Sequence, residues 1–247
     1  MSATTMPYRP LLLRWPFDTL LWLVLAFSAV LLSRESNWDM TVANWFFDAT
    51  QQRFPLKDNV LWSSVFHEGS KKLTIALWLG MAVWAWREHR YQRAAPWLFV
   101  LISAVLAVSI NGWLKAQSAH SCPWALTSFG GSADYFRLLA AIPDNPGPGH
   151  CLPSGHAAVG FMWLPLVYAA ACWWPQHLRR ATVLVISFGL FCGGIQIARG
   201  AHFPSHVIMA AAVCGLTTSL CFHIYQYRAY IGTAMVRIGQ RLRAEST

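Results

Sequence analysis

Apolar residues run in six long stretches, at about 17–33, 73–86, 96–114, 156–174, 181–198 and 204–225, the second extendable to about residue 64. Each is near the roughly 20 residues that a helix needs to cross a hydrocarbon core about 30 Å thick. Backbone N–H and C=O groups in lipid must be satisfied within the segment itself. The pattern therefore predicts an all-α, polytopic membrane protein with six transmembrane helices. The first stretch lacks a clean small-x-small cleavage site and is long enough to stay in the bilayer, so it reads as a span rather than a cleaved leader.

Composition agrees. Of 247 residues, 55% are hydrophobic and only 12% charged, against about a quarter charged in soluble domains. Length and pattern fit one integral-membrane domain over residues 1–247, with a core at about 60–225 and a basic tail at 226–247. The formal charge of +9 is explained by arginines that orient loops and hold anionic headgroups, so nucleic acid is not an expected partner and the bilayer is.

Arginine placement orients the chain. Arg9 and Arg14 precede the first stretch, Arg87, Arg90 and Arg93 separate the second from the third, Arg179 and Arg180 separate the fourth from the fifth, and Arg228, Arg237, Arg241 and Arg243 follow the sixth. Both termini are thus expected in the cytoplasm. The remaining connections hold Glu35, Asp39, Asp48, Asp58, Glu68, Asp134 and Asp144 and read as exterior, which in a bacterium is the periplasm.

Two flanking segments are amphipathic. Trp38, Val42, Trp45 and Ala49 recur at helical spacing, which suits either a short helix on the outer interface or one packed against the bundle. Beyond Tyr225, a stripe of Ile231, Met235, Ile238 and Leu242 opposes Arg237 and Arg241, as in a helix resting on anionic inner-leaflet lipid. The long exterior loop, 116–152, contains Cys122 and Cys151. An oxidising compartment permits a disulfide between them; two free thiols are the alternative.

Three polar clusters then fall on one side. Six of the nine histidines (His67, His120, His150, His156, His202 and His206) are exterior. Pro153-Ser154-Gly155-His156 opens the fourth stretch. A proline suits a helix start, Gly155 permits close approach of a ligand, and the N–H groups of Ser154, Gly155 and His156 would form a phosphate cradle. His156 titrates in the range suited to proton transfer. Arg199-Gly-Ala-His202-Phe-Pro-Ser-His206 precedes the sixth stretch. There one histidine can attack phosphorus while the other accepts its ring N–H, and Arg199 can clamp two oxygens. Asn111, Lys115 and Ser118 form a polar stripe ending the third stretch, with Lys115 as a point charge for phosphate. Taken singly, each cluster has a plainer reading: an ordinary helix start, an interfacial histidine pair beside a snorkelling arginine, and a snorkelling lysine. Two membrane crossings separate His156 from His202 and none separates Lys115 from His156, so all three clusters converge on one face.

These residues resemble the type-2 phosphatidic acid phosphatase superfamily, whose members share a helical core with vanadium haloperoxidases. The family pattern is Lys, six residues, Arg-Pro; then Pro-Ser-Gly-His; then Ser-Arg, five residues, His, three residues, Asp. The second motif is complete here. In the first, Lys115 is followed at the family spacing by Cys122-Pro123, and His120 or Lys72 stands as a replacement for the missing arginine. In the third, His202 falls on the nucleophile, His206 on its orienting Asp, and Gln196 on the arginine, with Arg199 one turn later. The form is similar to a variant branch near the bacterial lipid A phosphatases.

The resemblance implies a membrane lipid phosphatase without metal or other cofactor. His202 would form a phosphohistidine and His156 would protonate the leaving oxygen. Lys115, Arg199 and the backbone at Ser154 and Gly155 would hold phosphate. The expected substrate is a phosphorylated membrane lipid: lipid A, undecaprenyl pyrophosphate, phosphatidylglycerol phosphate or phosphatidate. A lipid-to-lipid phosphotransferase, or a non-catalytic headgroup binder, would use the same residues. A metal protein is disfavoured by the lack of Asp or Glu in the clusters, and a transporter by the lack of charge at mid-depth. Oligomeric state is left open.

Overall fold

The computed structural model describes residues 17–91 and 93–245, with side chains through residue 228. Arg9 and Arg14 lie outside it, as do the side chains of the tail stripe and its arginines. Eight α-helices follow in order: α1 (Phe17–Glu35), α2 (Trp38–Asn44), α3 (Gly69–His89), α4 (Ala95–Ala116), α5 (Gly155–Phe161), α6 (Leu164–Trp173), α7 (Leu178–Ala198) and α8 (Pro204–Glu245). A π-helical turn, Leu61–Glu68, runs directly into α3. No strand forms among the described residues, so the fold is all-α.

Among the described residues, five helical stretches are long and apolar enough to cross a membrane: Phe17–Glu35, Ala95–Ala116, Gly155–Trp173, Pro175–Ala198 and Pro204–Arg228. They make the chain a multi-pass membrane protein. The second predicted span is helical as α3 but is not among the five, because Lys71, Lys72, Arg87 and Glu88 bracket its apolar run.

The Gly155–Trp173 stretch is the centre of the bundle: 78% of its apolar window is buried, against 22% for α1. It breaks between α5 and α6, where Pro165 in the first turn of α6 has no N–H to continue the ladder. Its neighbours approach closely through small residues. Ala104, Ala107, Ala157, Ala158, Ala210 and Ala211 share one buried cluster, and a Cβ on Gly160 would come within 2.6 Å of Gly189 Cα. Without a hydrophobic drive between helices in lipid, close backbone packing and interhelical hydrogen bonds hold the bundle. Buried Asp18 supplies such bonds to α1, accepting from Ser219 Oγ at 2.7 Å and lying 2.9 Å from His223 Nε2 on α8.

The predicted amphipathic stripe at 38–49 is shorter than expected. α2 stops at Asn44, and an isolated bridge between Asp48 and Arg53 turns the chain back. Val42 and Ala43 are buried while Trp38 and Trp45 are exposed, so α2 packs against the protein and Ala49 leaves its face. The 116–152 loop has its own apolar centre. Phe129 packs against Phe47 and Phe54 with ring centroids 5.1 and 5.3 Å apart, and Leu126, Ala133 and Phe203 complete the cluster. Cys122 and Cys151 are joined as a disulfide with Cα atoms 5.3 Å apart.

Candidate active site

Lys115 occupies the last turn of α4 and leans over the start of α5. A Cβ on Gly155 would meet Lys115 Cδ at 3.4 Å, an ordinary van der Waals contact. The ammonium donates to the carbonyl of His150. One turn earlier, buried Asn111 donates to Ser154 O at 3.4 Å and its Oδ1 has no partner. Ser118 lies just beyond the helix, where its Oγ accepts from His120 N–H.

The Pro-Ser-Gly-His segment starts a helix differently from expectation. Ser154, not Pro153, flanks the first turn, with its Oγ accepting from Ala157 N–H at 3.3 Å; Pro153 lies outside, after a cis bond to Leu152. The Ser154 N–H is also not free for a ligand, because it donates to His206 O at 3.0 Å and so ties α5 to α8. The N–H groups of Gly155 and His156 make no hydrogen bond among the described residues and remain the donors at this helix start.

His156 is held on two sides by residues that sequence reasoning assigned no role. Its Nε2 lies 2.8 Å from Ser70 Oγ. That hydroxyl also donates to Phe66 O at 2.6 Å, at the end of the π-helical turn. Nδ1 is buried with no protein partner among the described residues. The His67 ring stacks on His156 with centroids 4.1 Å apart. The π-helical turn sets His67 against His156, in keeping with the tendency of such turns to occur at functional sites. His67 Nδ1 pairs with Gln196 Nε2 at 2.8 Å, so the glutamine at the family arginine position fixes a histidine instead. The only sequence signal for this wall was His67 among the exterior histidines, with Ser70 three residues on.

The α7–α8 turn places His202. Gln196 O accepts from both Ala201 N–H and His202 N–H, at 2.8 and 3.2 Å. Gly200 makes the reversal at φ +69°, and a Cβ there would sit 2.3 Å from the Phe54 ring. His202 is 6% exposed. Burial, then the Lys115 charge, pulls its imidazole down to about 3, so it is neutral at physiological pH. His206 lies at 5.8 Å between ring centroids, T-shaped, with no hydrogen bond to His202, and its Nδ1 is buried without a partner. Cys151 Sγ lies 3.4 Å from His202 Nδ1, and the Cys151 backbone carbonyl also acts on the ring.

The two cations flank the histidines from different directions. Lys115 acts electrostatically on His202, and Arg199 acts on His67 and His156. Arg199 is buried, and its guanidinium donates to Lys57 O at 2.9 Å. Lys72 is exposed and makes no described contact with the cluster; Lys71, paired with Glu68 at 3.0 Å, carries the charge acting on His156. His120 stacks on Phe136 and faces His206 edge-on at 6.2 Å. Burial pulls it down to about 4.

Asp39 was read only as an exterior acid, yet it is buried beneath the start of α8. It accepts from Ser205 N–H at 3.0 Å and Ser205 Oγ at 2.6 Å, filling the role of a helix cap from outside the helix. Burial raises its carboxyl, against the opposing Ser205 bonds. With His120 and His206 it lines a small polar cavity.

Cys151, His202 and His206 also bring potential ligand atoms within 4.8 Å of one another. The disulfide-bonded sulfur cannot supply a thiolate, so this donor set does not fit a zinc site.

No curated protein and no solved structure matches the chain. A family model described as the PAP2 superfamily matches residues 94–230, a region that contains Lys115, the helix start at Ser154 and both His202 and His206. That match covers more than half of the sequence, and the chain belongs to the PAP2 superfamily.

Proposed function

We propose that this membrane phosphatase removes a phosphate from a lipid headgroup through a phosphohistidine on His202. The observation that carries the reading is the convergence of Lys115, His156 and His202, from α4, α5 and the α7–α8 turn, around unpartnered ring nitrogens. His202, kept neutral by burial, attacks phosphorus as the bond to the lipid oxygen breaks. His156, once protonated at Nδ1, passes that proton to the leaving oxygen. Neutral His156 then takes a proton from the water that hydrolyses the phosphohistidine. Lys115, Arg199 and the N–H groups of Gly155 and His156 hold the oxygens as charge redistributes.

In this reading α3 is a sixth span, both termini are cytoplasmic and the site opens to the periplasmic face of a bacterial inner membrane. The arginine distribution supports that orientation. Substrates are lipid A, undecaprenyl pyrophosphate, phosphatidylglycerol phosphate or phosphatidate. Release of inorganic phosphate by purified protein from a panel of these lipids tests it. At least one lipid should be hydrolysed, with release abolished by His202→Ala. Phosphate appearing only on a second lipid would identify a phosphotransferase.

One observation favours a second reading, a non-catalytic headgroup binder. Lys115 and Arg199 both donate to backbone carbonyls, and His202 is almost fully enclosed. Equal lipid binding by wild type and His202→Ala, with no phosphate from either, would establish it.

A further inference from the structure

A nucleophilic imidazole must present one ring nitrogen as a lone pair, and the hydrogen bond made by the other nitrogen decides which. Resemblance assigned that second contact to His206. The structure puts Cys151 there, with its backbone carbonyl acting on the ring and its sulfur beside Nδ1. Cys151 Sγ lies 3.4 Å from His202 Nδ1. Being half of a disulfide, the sulfur has no proton to give and can only accept. His206 is turned T-shaped to His202 and leaves its own Nδ1 unbonded.

The sulfur is held in place. Cys151 is fully buried. Its N–H donates to His120 O at 2.9 Å, and the preceding N–H donates to Ser118 O at 2.7 Å, joining it to the end of α4. The bond to Cys122 fixes it from a second direction. His202 is held from the opposite side by the bond of its N–H to Gln196 O.

We infer that the Cys122–Cys151 disulfide is the positioning group for His202: Cys151 Sγ accepts Nδ1–H and thereby leaves the Nε2 lone pair for phosphorus. The inference rests on reading His202 as the nucleophile. It also gives Cys122, which stands where the family has a phosphate-binding arginine, a different task in the same site.

The test uses full-length protein in detergent micelles, with ¹⁵N-labelled histidine and His202→Gln to assign the ring signals. Wild type should show the Nδ1–H tautomer at His202, and that tautomer should survive His206→Asn. In Cys122→Ala/Cys151→Ala it should give way to a mixture. The kcat should fall about 10- to 100-fold with KM changed less than about 3-fold, the pattern of a lost transition-state contribution. Cys122→Ala/Cys151→Asp, which returns an acceptor without the disulfide, should recover at least about 10-fold of that kcat. An active wild type carrying Nε2–H would overturn the positioning role alone. So would wild-type kcat in the double-alanine variant. A wild type that releases no phosphate from any lipid would overturn the phosphatase reading instead, whatever its tautomer.

Discussion

The imidazoles of His67 and His156 stack with centroids 4.1 Å apart and planes tilted by 32°, one ring delivered by a π-helical turn and the other by the start of α5. His67 in turn bonds Gln196, so a residue of α7 steadies the proposed acid through an intermediate ring. His67→Ala removes both contacts and should lower kcat about 10-fold; His67→Phe keeps the stack and should cost about 5-fold, since one hydrogen bond contributes about 1 kcal/mol. Steady-state phosphate release checks the order. Equal activities for wild type and His67→Ala would show that the stack has no part in turnover.

Acid should destabilise the protein through buried His202 and half-buried His120. The folded chain holds His202 down at about 3 and His120 at about 4, below the unfolded value of about 6.5. Between about pH 6.5 and 4 the unfolded chain binds protons that the folded chain refuses, so stability is present above that window and lost as pH falls through it. Thermal unfolding in detergent should show Tm declining over this range. His120→Phe, which preserves stacking on Phe136, should make the decline shallower. An unchanged slope in that variant would contradict the linkage.

The Asp39 cap on α8 should be worth more than its surface-like sequence context suggests. Asp39→Ala leaves the Ser205 N–H and hydroxyl without their buried acceptor, at a cost of about 1–3 kcal/mol. Asp39→Asn keeps one oxygen and should cost less. Denaturation midpoints of the purified variants measure this directly, and an Ala variant as stable as wild type would remove Asp39 from the scaffold of the site.

Two glycines near the nucleophile should differ sharply. Gly200→Ala combines a φ of +69° with a Cβ 2.3 Å from Phe54 and should lose about 1–3 kcal/mol or more. Gly155→Ala meets Lys115 Cδ at an ordinary 3.4 Å and should unfold within about 1 kcal/mol of wild type. Similar midpoints for the two would contradict the geometry of the α7–α8 turn.

Much of the architecture was legible because lipid imposes a simple rule: long apolar runs must be helices, and the runs around 17–33, 96–114, 156–174, 181–198 and 204–225 are found as such. The expectation that Lys115, His156 and His202 share one face comes from counting crossings. The contacts that orient the rings were not legible. Ser70 meets His156 across 86 residues, Gln196 meets His67 across 129, and Asp39 meets Ser205 across 166. No local pattern encodes such pairs. The end of α2 was misjudged because Trp45 and Ala49 continue the apolar spacing, while the turn at Asp48–Arg53 is set by local hydrogen bonds of the Asp48 side chain. The helix opens two residues later than Pro153 because the Ser154 hydroxyl is the better cap.

The most direct test of the central claim is covalent. Wild-type protein mixed with a lipid whose phosphate carries ³²P, quenched in base within one turnover and digested, should yield an acid-labile, base-stable label on the peptide that contains His202, absent in His202→Ala. Turnover with no labelled histidine, or label on a different residue, would contradict it.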